Sequence, residues 1–159
     1  MRHKKTPKRN IKADPKFNSI QLSKFINTLM YDGKKAIAQK VVYDALEIIE
    51  EKDTEKTPGG AIEVFVKAIK NVGPTIETRS KRVAGANYQI PQTVRPERRQ
   101  SLAFRWILTA TRSKKGAPMA QKLANELLLA ANNEGDAVKK KLDVQKMAEA
   151  NRAFAHFAR

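Results

Sequence analysis

Apolar side chains recur in this chain on a helical period, in segments separated by breaks of only a few residues, and that pattern constrains the fold most. Leu22, Phe25, Ile26, Leu29 and Met30 fall at i, i+3, i+4, i+7 and i+8, one stripe of a helix beginning near Ile20. Asp32-Gly33 stops it, because glycine takes the left-handed C-terminal conformation at little cost. A second helix is predicted from Lys34 to about Glu51, with Ile37, Val41, Ala45, Ile48 and Ile49 facing inward. Thr57-Pro58 reads as a cap and first helical residue for a third, whose stripe is Ile62, Phe65, Val66 and Ile69, ending before Gly73-Pro74. Arg95-Pro96-Glu97 opens a fourth helix to about Arg112, with Leu102, Ala103, Trp106, Ile107 and Ala110 on one face. Pro118 starts a fifth that buries Leu123, Ala124, Leu127, Leu128 and Ala131, and Asp136 caps a sixth running through MAEANRAFAHF. Breaks this short make the helices share one core, and 159 residues are enough for one.

One segment does not fit the helical pattern. From Thr75 to about Val94, Ile76, Val83, Tyr88, Ile90 and Val94 give two strands around Ala84-Gly85. Pro91 lacks a ladder donor and the segment is strongly basic, so the expectation is an edge ribbon outside any core. At about 3.3 Å per residue, eight residues in each strand would carry its tip roughly 26 Å outward. The first sixteen residues, polar and without periodicity, form a flexible basic arm, and residues 17–159 form one helical domain. The fold class is mainly α.

Charge narrows the function. The net charge is +16, and residues 1–16 and 77–115 carry +6 and +8 of it. Positive charge concentrated in about a third of the chain is the footprint of a polyanion partner, with nucleic acid ahead of an anionic membrane. No apolar run approaches the roughly 18 residues of a membrane helix, and the basic N-terminus has no apolar stretch behind it to make a secretory signal. The absence of cysteine excludes disulfides, thiolate metal sites and a catalytic thiol, and makes the cytosol the expected compartment. His3 and His156 have no partner set for a metal or a nucleophile. Gly33-Lys34-Lys35 lacks the upstream glycine of a phosphate loop, and Ala36 stands where Ser or Thr would hold magnesium. No enzyme, metal or cofactor is expected.

What remains are cations. Lys34 and Lys35 at the start of a helix oppose its dipole, a conflict that a bound phosphate relieves. Arg98, Arg105 and Arg112 repeat every seven residues, drifting about 20° per step, and so form one arginine stripe suited to bidentate phosphate contact. Lys114 and Lys115 close the same basic segment. Lys139, Lys140 and Lys141 are flanked by Asp136 and Asp143, and solvated helix surface is the competing reading there. Aromatics are 6% of residues and do not recur among the cations, which disfavours base-stacking platforms and favours phosphate tracking. On these grounds alone an architectural duplex-DNA-binding protein with basic β-arms fits as an alternative to an RNA-binding one.

Four stretches carry a resemblance: DPKFNS at 14–19, DGKKAIAQKVVYDAL at 32–46, RSKRVAGANYQIPQTVRPERR at 79–99 and MAEANRAFAHF at 147–157. With them the chain resembles the bacterial small-subunit ribosomal protein seven family from end to end. The resemblance implies a six-helix bundle with a protruding β-hairpin between the third and fourth helices. It implies primary binding to the 3′ major domain of small-subunit ribosomal RNA (rRNA), nucleating assembly of the subunit head. It also implies a place beside the exit-site transfer RNA (tRNA) and the messenger path, a monomeric state within the ribosome, and contacts with small-subunit proteins nine and eleven. Carried onto this sequence, rRNA contacts would fall on Arg2, Lys4, Lys5, Lys8, Arg9 and Lys12, then on Lys34, Lys35, Arg79, Lys81 and Arg82. They would continue at Arg95, Arg98 and Arg99. Val83, Ala84, Gly85 and Ala86 at the ribbon tip, with Lys139, Lys140, Lys141 and Arg152 on the last helix, would face the tRNA.

Overall fold

A computed structural model describes residues 10–52, 59–83 and 85–158. The expected arm contacts Arg2, Lys4, Lys5, Lys8 and Arg9, the Thr57-Pro58 cap and Ala84 at the ribbon tip lie outside the described residues. Helices α1 (Ile20–Leu29), α2 (Lys35–Lys52) and α3 (Gly60–Val72) precede strands β1 (Ile76–Val83) and β2 (Ala86–Thr93). After them come α4 (Pro96–Ser113), α5 (Met119–Ala131), α6 (Asp136–Ala150) and a closing 3₁₀ helix, Arg152–Ala158. The strands form one antiparallel ribbon in which Arg79 faces Ile90 and Lys81 faces Tyr88. The mainly α architecture with a hairpin between α3 and α4 is thus as the sequence predicts.

The core is built from the predicted stripes. Ser19 caps α1 by accepting the Leu22 N–H, which sets Leu22, Phe25, Ile26 and Leu29 on the buried side. Phe25 has no exposed surface and meets Phe65 of α3 and Phe104 of α4 edge to face, with centroids 5.2 and 5.3 Å away. On α2 the inward face is rotated from the expected one. Ala38, Val42, Ala45, Leu46 and Ile49 are buried, Val41 and Ile48 are half-buried, and Ile37 is 63% exposed. A helix with apolar residues on adjoining stripes can turn either inward; here the alanines face in and allow close approach of neighbouring helices. Val66 on α3, also expected inside, is exposed, while Val64 and Ala68 are buried.

Two buried carboxylates fix the ends of elements. Asp14 accepts the N–H groups of Lys16 and Phe17 and the Tyr43 hydroxyl at 2.8 and 3.0 Å, so the chain entering α1 is held against α2. Glu126, with no exposure, accepts the Ala137 N–H at 3.0 Å and the Lys114 ammonium. It supplies the acceptor at the start of α6 that sequence assigned to Asp136, which is instead the first helical residue. Gly135 before it has φ of 91°, the left-handed region that favours glycine, and a Cβ there would press on Glu126 Oε1 at 3.0 Å.

Candidate nucleic-acid interface

The ribbon base is fastened to the bundle. Glu77 of β1 receives two hydrogen bonds from the Arg98 guanidinium of α4, at 2.6 and 2.8 Å. That carboxylate, through hydrogen bonding and then charge, raises the Arg98 pKa further above its ordinary value. Ile90 is fully buried, but it lies outside the hydrophobic cluster that the helices share, so the ribbon packs on the bundle at this one position without contributing to its core. Farther out, Tyr88 meets Phe154 and Phe157 of the 3₁₀ helix at 5.0 and 5.7 Å, and Lys81 Nζ donates to the Phe157 carbonyl at 3.0 Å. The sequence reading ran α6 on to Phe157; it ends at Ala150 because the tighter 3₁₀ turn puts residues i and i+3 on one edge. That geometry carries both phenyl rings to Tyr88. Gly85, at φ of 89°, and Ala86 form the exposed tip, and Val83 is half-buried.

The candidate arginines divide by what they touch. Arg99 Nε and Nη2 donate to the carbonyls of Gly73 and Lys70 at 3.1 and 3.3 Å, satisfying the C-terminal end of α3. Arg112 donates to the Leu29 carbonyl at 3.1 Å and lies 4.3 Å from the Tyr31 ring centroid, closing α1 in the same way. Arg98 holds the ribbon. All three arginines of the heptad stripe on α4 are exposed, but they differ in what they touch: Arg105 has no side-chain partner among the described residues, whereas Arg98 and Arg112 each also bind another element. Sequence periodicity placed the three on one flank but could not see acceptors supplied by β1 and α1.

The lysines divide likewise. Lys114 lies between Glu126 and Asp136, the latter at 3.9 Å, and Lys141 donates to the Asn71 carbonyl at 2.7 Å beside the C-terminus of α3. Lys12, Lys115, Lys139 and Lys140 are exposed, as are Arg79, Arg82, Arg95 and Arg152. Arg79 and Arg82 belong to opposite faces of β1, since strand side chains alternate. Lys34 and Lys35 stand exposed where α1 turns into α2, after Asp32 and Gly33 at φ of 49° and 71°. Asp32 is 3.7 Å from Lys34, and the first turn of α2 has no acidic residue. An anion-ready helix start thus meets two cations there. Beside it lies a feature that sequence reading missed, an apolar groove edged by exposed Tyr31 and Ile37.

No helix among the described residues is long and apolar enough to cross a membrane, and none of their His, Asp or Glu side chains form a metal-binding group. The arrangement offers a rigid bundle with solvent-facing cations at the α1–α2 turn, along the ribbon, on α4 and on α6. The family model of ribosomal protein S7p/S5e matches residues 1–152. Small ribosomal subunit protein uS7 of Petrotoga mobilis is 57% identical over 157 residues, covering 99% of each chain. The proteins of that name from Thermotoga maritima and Nitratiruptor sp. are each 54% identical over 157 residues, again 99% of both chains. With matches across nearly its whole length, the chain belongs to the ribosomal protein S7p/S5e family and is a structural, non-enzymatic protein of the small ribosomal subunit.

Proposed function

We propose that the chain binds the 3′ major domain of small-subunit rRNA directly, as a primary binder that nucleates assembly of the subunit head. The basic arm expected over residues 1–16 gives way to the folded body at Asp14, which is buried and bonded to Tyr43 of α2. The observation that carries this reading is the set of solvent-facing cations without side-chain partners among the described residues: Lys35, Arg79, Arg82, Arg95 and Arg105 track phosphates beside Lys12, Lys34 and Lys115. The ribbon tip at Val83, Gly85 and Ala86, with Lys139, Lys140 and Arg152, faces the exit-site tRNA near the messenger path. Small-subunit proteins nine and eleven are its protein neighbours. Membership of a small-subunit family supports RNA over duplex DNA as the polyanion.

Binding of the full chain to a transcript of the 3′ major domain, titrated with salt, tests this. Neutralising about ten phosphates gives a log–log slope on the order of −7 to −9. A slope shallower than about −3, or equal competition by duplex DNA, overturns the reading.

A further inference from the structure

Among the described residues Tyr31 and Ile37 are the most exposed large apolar side chains, at 64% and 63%, and both line one groove. They edge a groove of about 240 Å³ between the end of α1 and the start of α2, whose buried lining is Leu29 and Ala38. Its volume falls below the roughly 300 Å³ at which pockets for larger organic ligands begin. The mouth is cationic: Lys34 and Arg112 line it and Lys35 follows in sequence, against one carboxylate, Asp32. The Arg112 guanidinium lies over one face of the Tyr31 ring, 4.3 Å from its centroid, so a ligand at this rim would meet the ring's other, exposed side beside a fixed cation.

An apolar slot with a planar rim and surrounding cations suits a flat, weakly polar group attached to a phosphate chain. We propose that this groove takes one unstacked nucleobase of the bound RNA, with the flanking phosphates on Lys34 and Lys35. Single-stranded RNA bases are held by stacking on aromatic rings and guanidinium planes while cations follow the backbone. Low aromatic content argued against stacking platforms in the chain as a whole. One tyrosine placed beside three cations suffices for one base. The inference rests on the RNA-binding reading above and adds to it a contact that is not ionic.

Salt titration separates the two kinds of contact. A phosphate contact changes the log–log slope by about 0.7 to 0.9, whereas a stacked base changes affinity and leaves the slope alone. With the 3′ major-domain transcript as probe, Tyr31→Ala should weaken binding about tenfold at unchanged slope. Tyr31→Phe, which keeps the ring face, should bind as the unmodified chain does. Ile37→Ala, at a position outside the core, should weaken binding severalfold and carries the test should Tyr31→Ala lose helicity. If the unmodified chain shows no steep salt dependence, the RNA-binding reading falls and takes this inference with it. If it binds steeply while Tyr31→Ala and Ile37→Ala match it, only the groove inference falls. A slope reduced by about 1 in Tyr31→Ala would mean that the ring merely positions a phosphate-binding cation, which also overturns it. Variants that bind the transcript normally but fail to join a particle containing the other small-subunit proteins would assign the groove to a protein side chain instead.

Discussion

Lys114 and Glu126 show how one cation in a basic chain can be fully occupied by the fold. The Glu126 carboxylate has no solvent exposure, and Lys114, about a third exposed, is the ammonium that neutralises it. Removing the cation strands a buried charge, whereas changing the carboxylate to an amide keeps an acceptor for the Ala137 N–H. Lys114→Met should therefore lower unfolding free energy by about 2–3 kcal/mol, below the full range for a buried pair because Lys114 meets water. Glu126→Gln should cost about 1–2 kcal/mol. Urea denaturation measures both, and an unperturbed Lys114→Met would return that lysine to the RNA surface. Tyr43 provides a pH dependence. Burial pushes its phenol above the ordinary value; Gln39 donating to its oxygen works the other way, and the bond to Asp14 adds to the rise. As pH passes about 10 the unfolded chain loses this proton first, so it binds fewer protons than the folded one and stability falls. The contribution is complete below about pH 10 and disappears as pH rises through the elevated folded value. The urea midpoint should drop on this alkaline limb, and Tyr43→Phe should shallow the drop and remove one phenolate absorbance step. An identical descent in the variant would exclude Tyr43 as its source.

The ribbon shows what elements gain from one another. A two-stranded hairpin is marginal alone in water, and this one is braced at its base by Glu77–Arg98 and farther out by Tyr88 against Phe154 and Phe157. Each aromatic pair is worth about 0.5–1.5 kcal/mol beyond its burial, enough to hold the outer half but small beside a helix core. Phe154→Ala with Phe157→Ala should accelerate amide exchange at 80–89 by roughly tenfold while sparing α1 to α5. If exchange there does not change, the 3₁₀ helix is a passenger. The same contact explains where sequence reading of the elements stopped. Helices α1 and α4 were legible because their stripes repeat within a few turns. The end of α6 was not: nothing local in RAFAHF favours a 3₁₀ turn over another α turn, and the preference comes from Tyr88, more than sixty residues earlier. The phase of α2 was missed for a related reason, since Ile37 is more apolar than Ala38 yet it is Ala38 that the neighbouring helices bury.

Across the whole molecule, positive charge was legible as a total and as two clusters, and from that the polyanion partner followed. Which cations are available was not legible, because their competitors are backbone carbonyls at helix ends that the fold alone brings near. Arg99 and Lys141 satisfy the end of α3, Arg112 the end of α1, and Arg98 the Glu77 carboxylate. These cations hold elements together, whereas Lys35, Arg95 and Arg105 extend into solvent. The two groups should separate in a paired measurement of stability and salt dependence. Arg95→Gln with Arg105→Gln should leave the unfolding midpoint unchanged and reduce the RNA-binding slope by about 0.7 to 0.9 for each phosphate lost. Arg99→Gln with Arg112→Gln should cost about 1–3 kcal/mol of stability, through carbonyls left without their charged donors, at nearly constant slope. The reverse pattern would mean that RNA draws Arg99 and Arg112 away from the helix ends. In that case the cations that build the free protein would be released to build the complex, and folding and binding would compete for the same side chains.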